Sequence, residues 1–436
     1  MLQIVSDNMN SKTFAVALVT LVLCSLGNVA FGADTKTQST KGEKLEQDKY
    51  KTVALNTMLQ WSSLSYSYYT LRDIVRENDS NRPENKGKKD TVAFEQPELI
   101  LTQLYHGNSE APYTNTFLKY PITASNIVKF IKLNKKYLMG DEGSLGYRPQ
   151  GDGTDEKLTV VRRLSQLDDE FDAEIVEFDD EYSDTGFMGL TTELIYSIIV
   201  NKTEERVTVV FRGSANTKDF IIDAAGLKKT PPEIKEFAGG DVNIHMGFSN
   251  YLFGGTHEGK KHSKFDQIID ILKQVYAKKE YKGYDLYITG HSLGGGLTQL
   301  LGFALAGSPM ADFIPRPINC VSYASPTAGN RAYYDYFRKL EKENKLRHIR
   351  VSNQGDVVAV MPSIGYHQTG INFHVDANKR VQIKHADAKM SLWSQMSLNS
   401  LSMHGLHNYH DRLFTGHNED IINLDIEEIY QKYAEL

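Results

Sequence analysis

Residues 286–300 read LYITGHSLGGGLTQL, and within them Gly290, Ser292 and Gly294 stand at a G-x-S-x-G spacing. A serine hydroxyl is a weak nucleophile until a base lies within hydrogen-bond reach and a carboxylate orients that base. The chain therefore has to supply both downstream. Asp356, in QGDVVAVMP just after the β-rich KLRHIRVSN, is the best-placed acid, whereas Asp335 falls in a helical pattern and Asp376 in a later loop, where acids are ordinarily solvated. Beyond Asp356 come His367, His374, His385, His404, His407 and His410, and chain order leaves all six open as the base. His404, His407 and His410 also invite a metal reading, but positions i and i+6 lie on different faces of a helix, so neither a metal nor a cofactor is expected.

Acyl transfer also needs donors aimed at the developing oxyanion. The backbone N–H of Leu293, immediately after the serine, is one. Ser214, at the end of TVVFRGS, offers a second through its N–H and hydroxyl.

These residues need a frame that gathers them. YDLYITG, INCVSYAS and KLRHIRVSN are strand-like runs. Between the first two, Leu297, Leu300, Leu301, Ala304 and Leu305 form the stripe of a core-facing helix, and between the last two lies the amphipathic RAYYDYFRKLEKEN. Strand, helix, strand, helix, strand is the pattern of a mainly parallel sheet with crossover helices. It sets Ser292 on a sharp strand-to-helix turn and Asp356 at the carboxyl end of a strand, where open α/β sheets keep their sites. Upstream, IYSIIVNKTEERVTVVFRGS predicts a hairpin, and AEIVEFDDEYSDTGFMGL a further β-rich run.

Residues 12–33, an apolar run behind a lysine that ends in small residues, read as a secretory signal peptide spanning 1–32, with an uncleaved anchoring helix as the alternative. Residues 33–165 form a helical and loop-rich extension, with helices predicted over residues 53–69 and 125–138, and residues 166–436 form the catalytic unit. Lys plus Arg number 49 against 55 Asp plus Glu, a formal charge of -6, which excludes the basic footprint of a nucleic-acid binder. Of the two cysteines, Cys24 lies in the signal and Cys320 in a buried strand as an inert thiol, so no internal disulfide is expected. Asn78 and Asn201 head N-x-S/T sequons open to glycosylation in a secretory host.

VVFRGS leading to KDFIID, HMGFSNY, ITGHSLGGGL, YASPTAGN, VSNQGDVVAVMP and GYHQTG occur in one order, and together they resemble the lipase class 3 family, the fungal-type triacylglycerol lipases and their relatives. The resemblance covers roughly residues 207–370. It implies an α/β-hydrolase fold, with Ser292 as nucleophile, Asp356 as orienting carboxylate, and Ser214 with Leu293 as oxyanion hole. It implies His404 as the base, since a tyrosine, Tyr409, follows a few residues on, with His407 the runner-up. It also implies a lid over residues 215–229, where Phe220, Ile221, Ile222 and Leu227 are apolar between flanking charges, and Phe220 and Ala224 replace the family's usual Trp and Leu. Met390, Leu392, Trp393, Met396 and Leu398 are candidates for an acyl pocket or for core. The expected activity is hydrolysis of lipid carboxylic esters of the triacylglycerol type at a lipid-water or membrane interface. A phospholipase A, galactolipase or acyltransferase on the same machinery, or a non-catalytic lipid-binding scaffold, are the alternatives.

Overall fold

The computed structural model describes residues 196–213, 228–254 and 263–385, together with parts of 55–65, 122–123, 173–193, 256–261 and 402–433. The signal, Asn78, the predicted helix over 125–138, Ser214, residues 215–227 of the lid and the side chains from Met390 to Leu398 lie outside the described residues, as do the side chains of His385 and His407.

Among the described residues nine strands form one sheet, and their order across it is their order along the chain. They are β1 (Ile122–Thr123), β2 (Ala173–Asp179), β3 (Tyr196–Asn201), β4 (Arg206–Phe211), β5 (Asp285–His291), β6 (Ile318–Tyr323), β7 (Leu346–Asn353), β8 (Ile371–Val375) and β9 (Val381–His385). The pairs from β1 to β4 are antiparallel, those from β4 to β8 are parallel, and β9 returns antiparallel. The predicted hairpin is β3 with β4, closing in register Asn201↔Arg206. Its turn uses Asn201: the side chain is 2% exposed and its Oδ1 accepts the Glu204 amide at 2.9 Å, so this sequon asparagine is a buried turn residue and not a free glycan acceptor.

The helices are α1 (Pro232–Ala238), α2 (Met246–Phe253), α3 (Lys264–Ala277), α4 (Leu293–Gly307), α5 (Arg331–Lys342), α6 (Leu406–Phe414) and α7 (Ile426–Tyr433). Ser263 starts α3 with a reciprocal capping box to Asp266, and Asn330 caps α5 by accepting from the Tyr333 amide. A hydrophobic core joins α1 to α5 with alternate residues of the sheet, among them Val207, Val209, Phe211, Leu286, Ile288, Ile318, Cys320 and Leu346. Period-two alternation sends Thr208, Tyr287, Thr289, Val321, Tyr323 and Val351 to the opposite face. There Tyr323 donates to the carbonyl of Leu55, Thr289 Oγ1 lies 3.3 Å from Ser62 Oγ, and the Tyr323 and Tyr409 rings meet edge-on at 6.3 Å. Leu55, Met58 and Leu59, helical as predicted, are at most 2% exposed, so part of the amino-terminal stretch covers the sheet, and β1 joins its edge. Cys320 is free and buried, its thiol pushed up by burial and by Glu341.

Candidate active site

β5 delivers Ser292 to the turn before α4, with Ser292 at the helix N-cap. Its φ of 58° and ψ of −125° lie in a region that L side chains avoid, so the backbone here is strained and the structure around it must hold it. Two glycines permit that. A Cβ on Gly290 would sit 2.5 Å from the carbonyl of Gly294, and one on Gly294 would sit 2.4 Å from the Phe211 oxygen. The elbow thus packs backbone to backbone on the end of β4, whose continuation leads to Gly213 and on to Ser214. The Ser292 amide donates to Tyr323 O at 3.0 Å, and Ser292 O accepts from Gly295 N at 2.9 Å. Ser292 Oγ is buried and makes no hydrogen bond among the described residues. Leu293 is the first helical residue of a 15-residue helix, where the backbone amide has no partner within the helix and the dipole favours negative charge.

Asp356 follows β7 on a turn in which Gly355 takes a φ of 92°. Its Oδ1 accepts the Val358 amide at 2.9 Å, and its Oδ2 accepts the Tyr409 hydroxyl at 2.6 Å. His404 ends the 3-10 turn Ser402–His404 ahead of α6, and its Nδ1 lies 3.0 Å from Asp356 Oδ2 and 3.1 Å from Oδ1. A carboxylate only accepts, so Nδ1 carries the proton, and a neutral His404 then holds a lone pair on Nε2. Burial alone would raise the Asp356 carboxyl, but the charge and hydrogen bond of His404, the Tyr409 hydroxyl and His291 together hold it below the usual carboxylate range. Burial and the neighbouring carboxylate push the Tyr409 hydroxyl far up, which keeps it a donor.

His404 also sits beside the elbow. The ring of His291, the residue before Ser292, lies 4.7 Å from the His404 ring, and its Nε2 is 2.7 Å from the His404 carbonyl oxygen. Serine, imidazole and carboxylate are all buried, with Ser292 at 1%, His404 at 2% and Asp356 at 0% exposure. Beneath them Arg350 of β7 is fully buried, and Nη1 donates to Ala359 O at 3.1 Å, bracing the turn that carries Asp356. Burial lowers its guanidinium to about 10. Asp335 is instead half exposed and paired with Arg331, and Asp376 caps its own turn by accepting from Asn378 N and Arg380 N. Among the other histidines, His374 Nδ1 is 3.0 Å from Ser352 Oγ, and His367 lies by Tyr334. A buried imidazole–carboxylate pair thus stands beside the serine elbow at the carboxyl edge of the parallel strands, while neither Ser292 Oγ nor His404 Nε2 makes a hydrogen bond among the described residues. Sequence reasoning passed over His291 and Arg350; only the position of His291 beside the serine hinted at a role.

A sheet whose central strands run parallel, flanked by helices, with a strained serine between a central strand and its helix, has the α/β-hydrolase fold. Residues 208–366, which hold the elbow and Asp356, match the family described as Lipase (class 3). His404 lies beyond the matched stretch. Among curated relatives, "Phospholipase A1-II 4" of Oryza sativa subsp. japonica is 26% identical over 213 residues, covering 46% of this chain and 50% of the relative. "Galactolipase DONGLE, chloroplastic" of Arabidopsis thaliana is 26% identical over 170 residues, covering 37% and 35%. The chain thus spans half or less of the length of these relatives. A solved triacylglycerol lipase from Penicillium expansum aligns at 24% identity with a TM-score of 0.39, covering 52% of this chain and 80% of that one.

Proposed function

We propose that the protein hydrolyses carboxylic esters of lipids through an acyl-enzyme on Ser292. The observation that carries this reading is the buried His404–Asp356 pair at 3.0 Å, set against the strained serine elbow. In the proposed cycle Ser292 Oγ attacks the ester carbonyl while His404 Nε2 takes its proton. Asp356 holds the imidazole by Nδ1–H and stabilises the imidazolium. The Leu293 amide, with Ser214 as second donor, receives the oxyanion at the positive end of α4. His404 then protonates the departing alkoxide, and water, deprotonated by the same imidazole, releases the fatty acid. Because all three groups are buried, we infer that the site must open to admit the acyl chain, which fits substrate at a lipid-water or membrane interface.

Triacylglycerol is the substrate of the first reading. The relatives named phospholipase A1 and galactolipase favour a second, in which the ester belongs to a polar lipid. Assay of wild type and Ser292→Ala on emulsified triacylglycerol, phosphatidylcholine vesicles and galactolipid micelles decides between them. Fatty-acid release by wild type alone, on one class, assigns the substrate. Equal release by both proteins on every class removes the hydrolase reading and leaves a lipid-binding scaffold. A His404→Ala and His407→Ala pair tests the base: loss with His407→Ala but not with His404→Ala would overturn the assignment. We also propose entry into the secretory pathway, carried by residues 12–33 and checked by sequencing the mature amino terminus.

A further inference from the structure

His291 is the last residue of β5 and the neighbour of Ser292, yet the proposed cycle gives it nothing to do. Alternation along β5 sends Ile288 and Gly290 to the face covered by α4, and sends Thr289 and His291 to the other face. On that other face the His291 ring meets the Tyr409 ring of α6 edge-on at 6.0 Å and the His404 ring at 4.7 Å with a 39° tilt. Its Nε2 stands 2.7 Å from the carbonyl oxygen of His404, and a carbonyl can only accept, so His291 Nε2 carries a hydrogen and donates it. The side chain is 4% exposed, so this bond is shielded from competing water.

The Asp356 carboxylate meets His404 through Nδ1, a bifurcated contact that sets the ring's rotation but not the place of its backbone. His404 ends one 3-10 turn, and turns of that kind hold their geometry less firmly than an α-helix. A donor on the carbonyl fixes the backbone of the base, and a ring against its ring limits the swing. Both come from the residue covalently joined to the nucleophile.

We propose that His291 is a positioning residue that registers His404 against Ser292, acting as a hydrogen-bond donor to the His404 carbonyl and as a packing face for its imidazole. The proposal rests on the reading of Ser292 and His404 as nucleophile and base. It makes β5 the common support of both, with Asp356 setting the rotation of a base whose place is already set.

Four variants in the full chain test it. His291→Gln places an amide N–H at nearly the reach of imidazole Nε2, His291→Asn carries an amide too short to arrive, His291→Phe keeps a ring without a donor, and Ser292→Ala is the blank. On a soluble short-chain ester, His291→Phe and His291→Asn are expected to lose roughly tenfold or more in kcat at little-changed KM, and His291→Gln to stay within about threefold of wild type. Should one of the two donor-free variants fail to fold by circular dichroism, the other carries the comparison. A second measurement is independent of turnover: the low-field proton resonance of His404 Nδ1–H, expected to persist in His291→Gln and to shift or broaden in the donor-free variants. Donor-free variants within twofold of wild type, or a His291→Gln variant that falls as far as they do, overturn the proposal while the hydrolase reading stands. Wild type no faster than Ser292→Ala removes the hydrolase reading and the proposal with it.

Discussion

Lowering the pH from 7 to 5 should strip several kcal/mol from the folded protein, because histidines that the interior holds neutral are free to charge once the chain unfolds. His348 on β7 is fully buried, with Nε2 2.8 Å from Ser322 Oγ and Nδ1 3.2 Å from Thr369 Oγ1, and burial together with nearby Arg350 lowers it to about 3. Burial likewise lowers His245 to about 4, and burial with Lys384 and Arg350 lowers His374 to about 4. In the unfolded chain each titrates near about 6.5. Above that value both states are neutral and these groups contribute nothing to pH dependence. Below it the unfolded chain binds a proton that the native state refuses, and stability falls by about 1.4 kcal/mol per pH unit per histidine until the native value is reached. At pH 5 this amounts to about 2 kcal/mol from each and about 6 kcal/mol from the three, against a total of about 5–15 kcal/mol for a typical domain. Asp356 does not offset this. Its lowered carboxyl contributes stability that is present above its unfolded value and is lost only as the pH falls below that, outside the window. The assay is thermal unfolding between pH 5 and pH 8 for wild type and His348→Gln. A fall in Tm of roughly 10 °C or more is expected for wild type. The variant, which cannot titrate at this position, should start lower but lose about a third less across the range. A flat Tm from pH 7 to pH 5, or an unchanged slope in His348→Gln, would refute the reasoning.

Asp356→Asn should lower kcat by roughly a thousandfold or more while the protein stays folded, because the amide no longer fixes the tautomer of His404; steady-state kinetics reads this directly. Tyr409→Phe removes the 2.6 Å bond to Asp356 and the acceptor for the Asn353 amide at 3.1 Å, and should cost about 1–3 kcal/mol of stability by denaturant titration, with a lower rate. Ser292→Gly should abolish hydrolysis yet raise the unfolding free energy by about 1 kcal/mol, since glycine accepts a φ of 58° without strain. Gly294→Ala, whose Cβ would meet Phe211 O at 2.4 Å, should prevent the elbow from closing and appear as loss of soluble protein or of cooperative unfolding.

The parallel strands β4 to β7 and the elbow were legible in the sequence because each rests on a local pattern: a β-branched run, a Leu stripe, two glycines around a serine. The helices α2 and α3 and the strands β8 and β9 drew no such reading. α2 has the weak, nearly all-round apolar character of a buried helix, and β8 alternates polar residues that are nonetheless buried: Asn372 Oδ1 takes the Ser352 hydroxyl, and His374 is bonded to the same hydroxyl. Nor does local pattern reveal that Leu55, Met58 and Ser62 close the back of a sheet more than two hundred residues away. The base was the least legible member of the site. Six histidines satisfy chain order, only the family resemblance favoured His404, and the Asp356 carboxylate at 3.0 Å is consistent with that choice. His291 escaped because its partner is a backbone carbonyl, which any residue could supply.

The side-by-side order of the nine strands has a consequence for biosynthesis. As the chain leaves the ribosome, each new strand finds its neighbour already made, so the sheet can grow by addition at one edge. The serine elbow is complete once α4 has emerged, and Asp356 follows about fifty residues later, but His404 comes only after β9, when the whole sheet stands. A nascent chain stalled at residue 385 would carry a shaped nucleophile with no base. If Ser292 depends on His404 as proposed, acyl transfer is among the last abilities the protein acquires during translation and among the first it loses to trimming from the carboxyl end.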